Sequence, residues 1–292
     1  MRWIRPQVLA VSAILLVSQP CAILGDDSRN LRRHVQAQLP QSTEGRSAPL
    51  PTADLNAVRG AVMSSLSTSG TTFLLALPPG TFRRGVNLGP LVYQQRVTGV
   101  VLIGTKDGFG AGAVIPPRGD IITSEHVVQN AHRAQGADWV AIWFRPTGAA
   151  PGFDLAKFIL GRVVYKDAGR DLAVVRLADP LPSDAAAIPL ATAPPVVGEE
   201  VFTIGHPKGY AWSFAQSIVS QVRPDYSWSY TDGIRRSATA IQTQTPMNPG
   251  SSGGPLLNGE GAVVGIVVGA VPDAKGIYFA VAAQHVKELA NR

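Results

Sequence analysis

The chain has 292 residues, 45% of them apolar and 16% charged, which suits one sizeable domain with extensions or two small ones. Its +6 charge raises the question of an acidic partner, but the arginines fall in scattered pairs (Arg32-Arg33, Arg83-Arg84, Arg235-Arg236). Without an aromatic-interleaved basic stripe, a solvated basic surface is expected and nucleic-acid binding is not.

Residues 1–25 have the pattern of an export signal. Arg2 and Arg5 give a positive start, 8–17 an apolar centre, and Gln19-Pro20 a helix break before small residues ending at Gly25. The apolar run is too short for a membrane span, so no stable membrane anchor is expected. The single cysteine, Cys21, would leave with the signal. A mature chain without disulfides fits a bacterial envelope protein, periplasmic or secreted.

Residues 26–51 are polar and patternless, with Pro40, Pro49 and Pro51, and read as a linker. Leu55, Val58, Val62 and Leu66 then recur at helical spacing behind Thr52 and Asp54, predicting one amphipathic helix that packs on the domain. The domain itself is assigned to 81–292, after a signal (1–25) and a linker with its helix (26–80).

From Val97 the pattern changes to short runs rich in Val and Ile, separated by Gly, Pro or Asp. Strands are predicted near 100–103, 113–115, 120–123, 139–144, 158–165, 171–177, 201–204, 214–222, 238–243, 255–257, 263–268 and 277–281. About a dozen short strands with regular turns imply an all-β barrel or sandwich, and suffice for two six-stranded antiparallel barrels. Residues 283–292 read as a short terminal helix.

Three segments carry chemistry. Met247-Asn248-Pro249-Gly250-Ser251-Ser252-Gly253-Gly254-Pro255 is a turn where glycines flank a serine, so backbone N–H groups can converge on one cavity. Ser252 is the candidate nucleophile, and the N–H groups of Gly250 and Ser252 are the candidate oxyanion donors. In Asp120-Ile121-Ile122-Thr123-Ser124-Glu125-His126-Val127-Val128 an apolar strand delivers His126, the candidate base. Asp171 opens the apolar strand 171–177 and is poised to be buried beside an imidazole. A strand-capping role is an equal alternative for Asp171 until the other two motifs are counted. His34, His132, His206 and His285 lack such a context, and no acidic cluster supports a metal site. Neither metal nor organic cofactor is implied.

The order His126, Asp171, Ser252 resembles the trypsin-like serine endopeptidases, and among them the HtrA/Deg-type envelope proteases. Thr123-Ser124-Glu125-His126-Val127, Asp171-Leu172-Ala173-Val174 and residues 241–254 match the three motifs of that family, and Ile204-Gly205-His206-Pro207 echoes a fourth. The resemblance covers Val97 to Arg292. It implies a double barrel and a Ser-His-Asp acyl-enzyme mechanism acting on proteins or peptides. Gln244, Ser251 and Ser124-Glu125 depart from the family pattern without removing a catalytic atom. The sequence stops where many such proteases continue into a peptide-binding PDZ module, so none is expected.

By the same analogy the strand 266–269 pairs with the substrate backbone. Pro246, Met247, Ile266 and Val268 are then the candidate substrate-binding residues. All are uncharged, which implies cleavage after small or medium apolar residues. Three alternatives stay open. One is a latent or inactive protease fold that binds partners. Another is a chaperone-like envelope protein using the helix near Leu55 and the aromatics Tyr226, Trp228 and Tyr230. The third is a glutamyl endopeptidase, with Thr245 as its one hint. Oligomeric state and natural substrates are not legible.

Overall fold

The computed structural model describes residues 55–68, 74–75, 87–147, 154–270 and 276–290, all within one compact unit. The signal and linker readings fall on residues outside these. In chain order the elements are α1 (Leu55–Thr68), β1 (Leu74–Leu75), α2 (Leu88–Arg96), β2 (Val100–Gly104), β3 (Phe109–Ile115), β4 (Asp120–Thr123), α3 (Glu125–Val128), β5 (His132–Ala134) and β6 (Ala137–Trp143). There follow β7 (Ile159–Asp167), β8 (Leu172–Leu177), β9 (Glu200–Gly205), β10 (Tyr210–Ala211), β11 (Ser213–Ser229), β12 (Arg235–Thr243), β13 (Pro255–Leu257), β14 (Val263–Ala270), β15 (Tyr278–Ala282) and α4 (Ala283–Ala290).

The strands form two rings. In the first, antiparallel neighbours run β2-β3-β4-β8-β7-β6, and β6 returns to β2 through Leu102↔Trp143 and Ile103↔Ile142, with β5 appended to β6. The second is a closed barrel, β11-β12-β15-β14-β13-β9. The all-β, two-ring architecture expected from the strand count is the one observed.

Period-two alternation decides which residues fill each ring. Val101 and Ile103 of β2 join Val114, Ile121, Val140, Ile142 and Val175 inside the first, while Val100 and Leu102 point the other way into a larger shared core. Inside the second barrel lie Val201, Val219, Ile241, Leu256, Val264 and Ala280. With both faces covered, β2 is buried along its whole length. Each such aliphatic side chain contributes roughly 1.5–3 kcal/mol.

Helix α1 packs on the first ring as the spacing predicts. Val58 and Val62 are buried, and the Arg59 guanidinium sits 4.5 Å above the Phe158 ring. Leu55 instead remains exposed. Helix α2 is absent from the sequence reading because only Gly89 and Val92 are buried on it, too sparse a pattern to register. It is fixed by the Asn87 side chain accepting from Gly89 N at 3.1 Å and by Tyr93 packing edge-on against Phe214. Strand β11 runs well past its expected end at Val222. The chain passes Pro224-Asp225 as a bulge between Arg223 and Tyr226, with Asp225 at φ +49, and the strand continues to Ser229. This extension carries the hairpin β11–β12 toward the site.

The rings meet along a polar seam. His206 is fully buried. Its Nδ1 accepts from Trp212 N (3.1 Å), so Nε2 carries the proton and donates to Val101 O (3.1 Å). Trp212 Nε1 donates to Val100 O at 2.8 Å. Burial pushes the His206 imidazole down to about 4, only partly opposed by its bond to Val101. Its role is structural. Parallel pairing of β1 with β10 (Leu74↔Tyr210, Leu75↔Ala211) ties an N-terminal segment to the same loop.

Candidate active site

β4 ends at Thr123, and the single-turn helix α3 then lifts His126 to the mouth between the rings. The Thr123 hydroxyl donates to Ala111 O (2.7 Å) and the Ser124 hydroxyl to Val267 O in β14 (2.8 Å). The entry to the turn that presents His126 is thereby fixed. Asp171 lies at the β7–β8 turn with φ +58, a left-handed conformation that aspartate tolerates better than most residues. That twist directs its carboxylate inward, where it is completely buried.

Both carboxylate oxygens of Asp171 hold the histidine. Oδ1 accepts the backbone N–H of His126 (2.9 Å), and Oδ2 lies 2.8 Å from Nδ1. With the proton on Nδ1, Nε2 is left as a lone-pair base, and the side chain retains 25% exposure through which it can be reached. The structure thus brings together two of the three residues singled out in the sequence, on the terms that acid–base work requires.

Ser252 occupies the turn opposite, held almost entirely by backbone. Ser252 O accepts from Ala111 N (2.8 Å), Gly253 N donates to Val267 O (2.7 Å), and Val267 N donates to Gly254 O (2.9 Å). Gly253, at φ +82, has no room for a side chain: a Cβ would stand 2.1 Å from Thr123 Oγ1 and 2.2 Å from Ala111 O. The same crowding brings Ser252 beside the His126 turn. The Ser252 hydroxyl, however, makes no hydrogen bond to His126. Such bonds are commonly long in unliganded sites and tighten when substrate is bound.

Pro249 O accepts from Lys208 N (2.7 Å) and Gly250 O from His206 N (3.2 Å). In a trans peptide the N–H points opposite to the C=O, so anchoring Pro249 O on Lys208 turns the Gly250 N–H away from that loop. Among the described residues neither Gly250 N–H nor Ser252 N–H meets an acceptor, and both are free for a developing oxyanion. Gly250, at φ +97, is also closely packed, since a Cβ would lie 2.2 Å from His206 O. Ser251, where the family pattern has Asn, holds the turn through Ser251 N to Asn248 O (2.8 Å).

The proposed pocket residues fare unequally. Pro246 is exposed, and Met247 and Val268 are buried with slight exposure. Ile266 is a correction: it is fully buried in the shared core, and its backbone pairs with Pro255 on one side and Val281 on the other. It supports the wall from behind and presents nothing to a ligand. Thr245 is fully buried and bonded to Thr243 Oγ1 at 2.9 Å, which leaves the glutamyl-pocket hint without an accessible hydroxyl.

One neighbour of the site was named in the sequence only as a partner-contact aromatic. Tyr230, just beyond β11, shares its one hydroxyl proton between Asp171 Oδ2 (2.8 Å) and Val268 O (2.9 Å), and its ring meets His126 edge-on at 5.2 Å. Arg236 lies 4.5 Å over that ring and pairs with Asp232 through its two terminal guanidinium nitrogens (3.0 and 2.7 Å). Hydrogen bonding from Arg236 holds the Asp232 carboxyl down at about 2. Glu125 sits in the opposite condition: burial, with the nearby Asp171 charge, raises it. Alternating aromatics at 226, 228 and 230 were the available signal, but alternation alone also describes an ordinary edge strand.

Known proteins resemble this chain in both fold and sequence. The crystal structure of the Rv3671c protease from M. tuberculosis in its active form superposes with a TM-score of 0.58 at 23% identity, covering 73% of this chain and 92% of that one. At that identity the likeness is one of fold. The serine protease Do-like HtrA of Bacillus subtilis is 33% identical over 198 residues, 64% of this chain and 39% of its own length. Protease Do-like 1, chloroplastic, of Arabidopsis thaliana is 31% identical over 179 residues, 60% and 36% respectively. The chain therefore spans about two-fifths of the length of these relatives. Residues 110–266 match the family described as the trypsin-like peptidase domain; this is more than half of the chain, and the protein belongs to that family.

Proposed function

We propose that the chain is a serine endopeptidase acting on proteins or peptides through an acyl-enzyme, with His126, Asp171 and Ser252 as its triad. The observation that carries this reading is the fully buried Asp171 carboxylate, engaging both the ring and the backbone N–H of His126 beside a glycine-flanked serine turn. His126 Nε2 takes the Ser252 proton as Oγ attacks the scissile carbonyl. Asp171 steadies the resulting imidazolium, and the N–H groups of Gly250 and Ser252 receive the oxyanion. His126 returns the proton to the leaving amine, and water then hydrolyses the ester by the same route.

The apolar surfaces of Met247 and Val268 favour small or medium apolar residues at the cleaved position. A peptide-library profile dominated by basic or acidic residues there would overturn that specificity. The leader pattern of residues 1–25 supports export to the periplasm or beyond, and N-terminal sequencing of the mature protein checks it. The main test is labelling with a fluorophosphonate probe. Modification mapped to Ser252 and lost in Ser252→Ala and His126→Ala is expected; folded wild-type protein that stays unlabelled would refute the protease reading in favour of a latent or binding role.

A further inference from the structure

Resting on that reading, we infer that Tyr230 is a positioning residue for the triad: its hydroxyl locks the Asp171 carboxylate in the orientation that holds His126. Three contacts point to it. The hydroxyl reaches Asp171 Oδ2, the same oxygen that faces His126 Nδ1, at 2.8 Å. The ring packs edge-on against the imidazole. Arg236 covers the ring's face and is itself held by Asp232 and by Ile234 O.

The physical case starts from Asp171. A carboxylate with no solvent exposure must have its charge satisfied by donors. Backbone N–H of His126 supplies one at Oδ1 and the imidazole one at Oδ2. A carboxylate oxygen accepts more than one bond, and the Tyr230 hydroxyl is the remaining side-chain donor. Without it Oδ2 would depend on the imidazole alone, and the carboxylate could rotate about its Cβ–Cγ bond whenever that ring moves during turnover.

Tyr230 is suited to the task because it stays a donor. Burial and the adjacent Asp171 charge push its phenol well above its ordinary value, so it keeps its proton throughout the range in which a histidine base operates. Its stiffness matters as well. The ring lies between His126 and Arg236, and Arg236 is fully buried. The hydroxyl is therefore placed by packing and not by chance rotation. The unexpectedly long β11 exists at the right length to bring this residue across: the hairpin β11–β12 belongs to the second barrel, whereas Asp171 belongs to the first.

The test is Tyr230→Phe, which keeps the ring against His126 and Arg236 and deletes only the hydroxyl. Tyr226→Phe, four residues earlier on β11 and stacked on Phe279, is the control. With a peptide substrate, kcat is expected to fall roughly 10- to 100-fold in Tyr230→Phe with KM unchanged, and the control to stay near wild type. The downfield proton resonance of the His126 Nδ1–H is expected to shift or broaden in Tyr230→Phe, with the melting temperature within a few degrees of wild type. A kcat within twofold of wild type together with an unmoved resonance overturns the inference. The resonance reads the Asp171–His126 pair whether or not the protein turns over. Absent fluorophosphonate labelling of wild type would thus refute the protease reading alone, while the resonance still decides the role of Tyr230.

Discussion

The two sides of the candidate site are built by different means. On the His126–Asp171 side, side chains hold side chains: a buried carboxylate, an imidazole, a phenol and a guanidinium are stacked and bonded in sequence. On the Ser252 side, nearly every restraint is a backbone hydrogen bond, and the decisive residues are two glycines whose missing Cβ atoms make the turn possible. An acid–base pair needs a defined charge and tautomer, and here the buried Asp171 carboxylate sets both. A nucleophile with an oxyanion pocket needs converging donors, and on this side the main chain supplies them. Damage should accordingly read out as lost proton transfer on one side and as lost geometry on the other.

The largest effect expected is from Asp171→Asn. It keeps the shape but exchanges an acceptor for a donor, so His126 loses its correct tautomer, and kcat should drop about 10⁴-fold. Circular dichroism should show the fold intact. Gly250→Ala attacks the other side. Its Cβ would meet His206 O at 2.2 Å in a left-handed conformation, and turning the Gly250 N–H aside should cost roughly 10²–10³ in kcat while leaving the His126 Nδ1 resonance in place. If that resonance moves as well, the two sides are not as separable as their construction implies.

The seam between the rings gives the third prediction. His206 has its imidazole depressed to about 4 against an ordinary 6.5. Between these values the unfolded chain binds a proton that the folded chain refuses, so stability rises with pH across the window and is lost as pH falls through it. The His206 contribution is fully present above pH 6.5, and about 3 kcal/mol should disappear by pH 4. Denaturant titrations at both pH values measure it, and His206→Gln should flatten the slope. The smallest effect belongs to Asp232→Asn. Asp232 is partly exposed and touches the site through Arg236 and a long 3.5 Å bond from Gln129, so kcat should change less than about threefold.

Most of the fold was legible because its signal is local. Alternating Val and Ile runs mark the strands of both rings, and the three catalytic candidates sit in short motifs. What was missed depends on distance in sequence. Tyr230 and Asp171 are 59 positions apart, and nothing in the pattern of 226–230 tells which aromatic turns toward the other ring. The strand predicted at 214–222 was ended too early because a bulge at Pro224-Asp225 interrupts its alternation; only the pairing of Tyr226 with Ala238 beyond it shows that the strand goes on. Ile266 was assigned to a ligand by analogy with the family's substrate-pairing strand, but strand pairing on both of its edges encloses it. Helix α2 left no stripe because it buries so little of itself.

The polar seam bears on how this molecule could be taken apart. Trp212 and His206 of one half donate to main-chain carbonyls of the other at Val100 and Val101, and the connecting segment is stitched to both, through Ile188 N to Val114 O and Ala191 N to Val263 O. Each half alone would lose these bonds and expose its face of the shared apolar core to water. A nick at the exposed Ser183-Asp184 step therefore should not free two autonomous barrels. It should leave fragments that are soluble only in each other's company, reassembling as a complemented pair when expressed from separate cistrons.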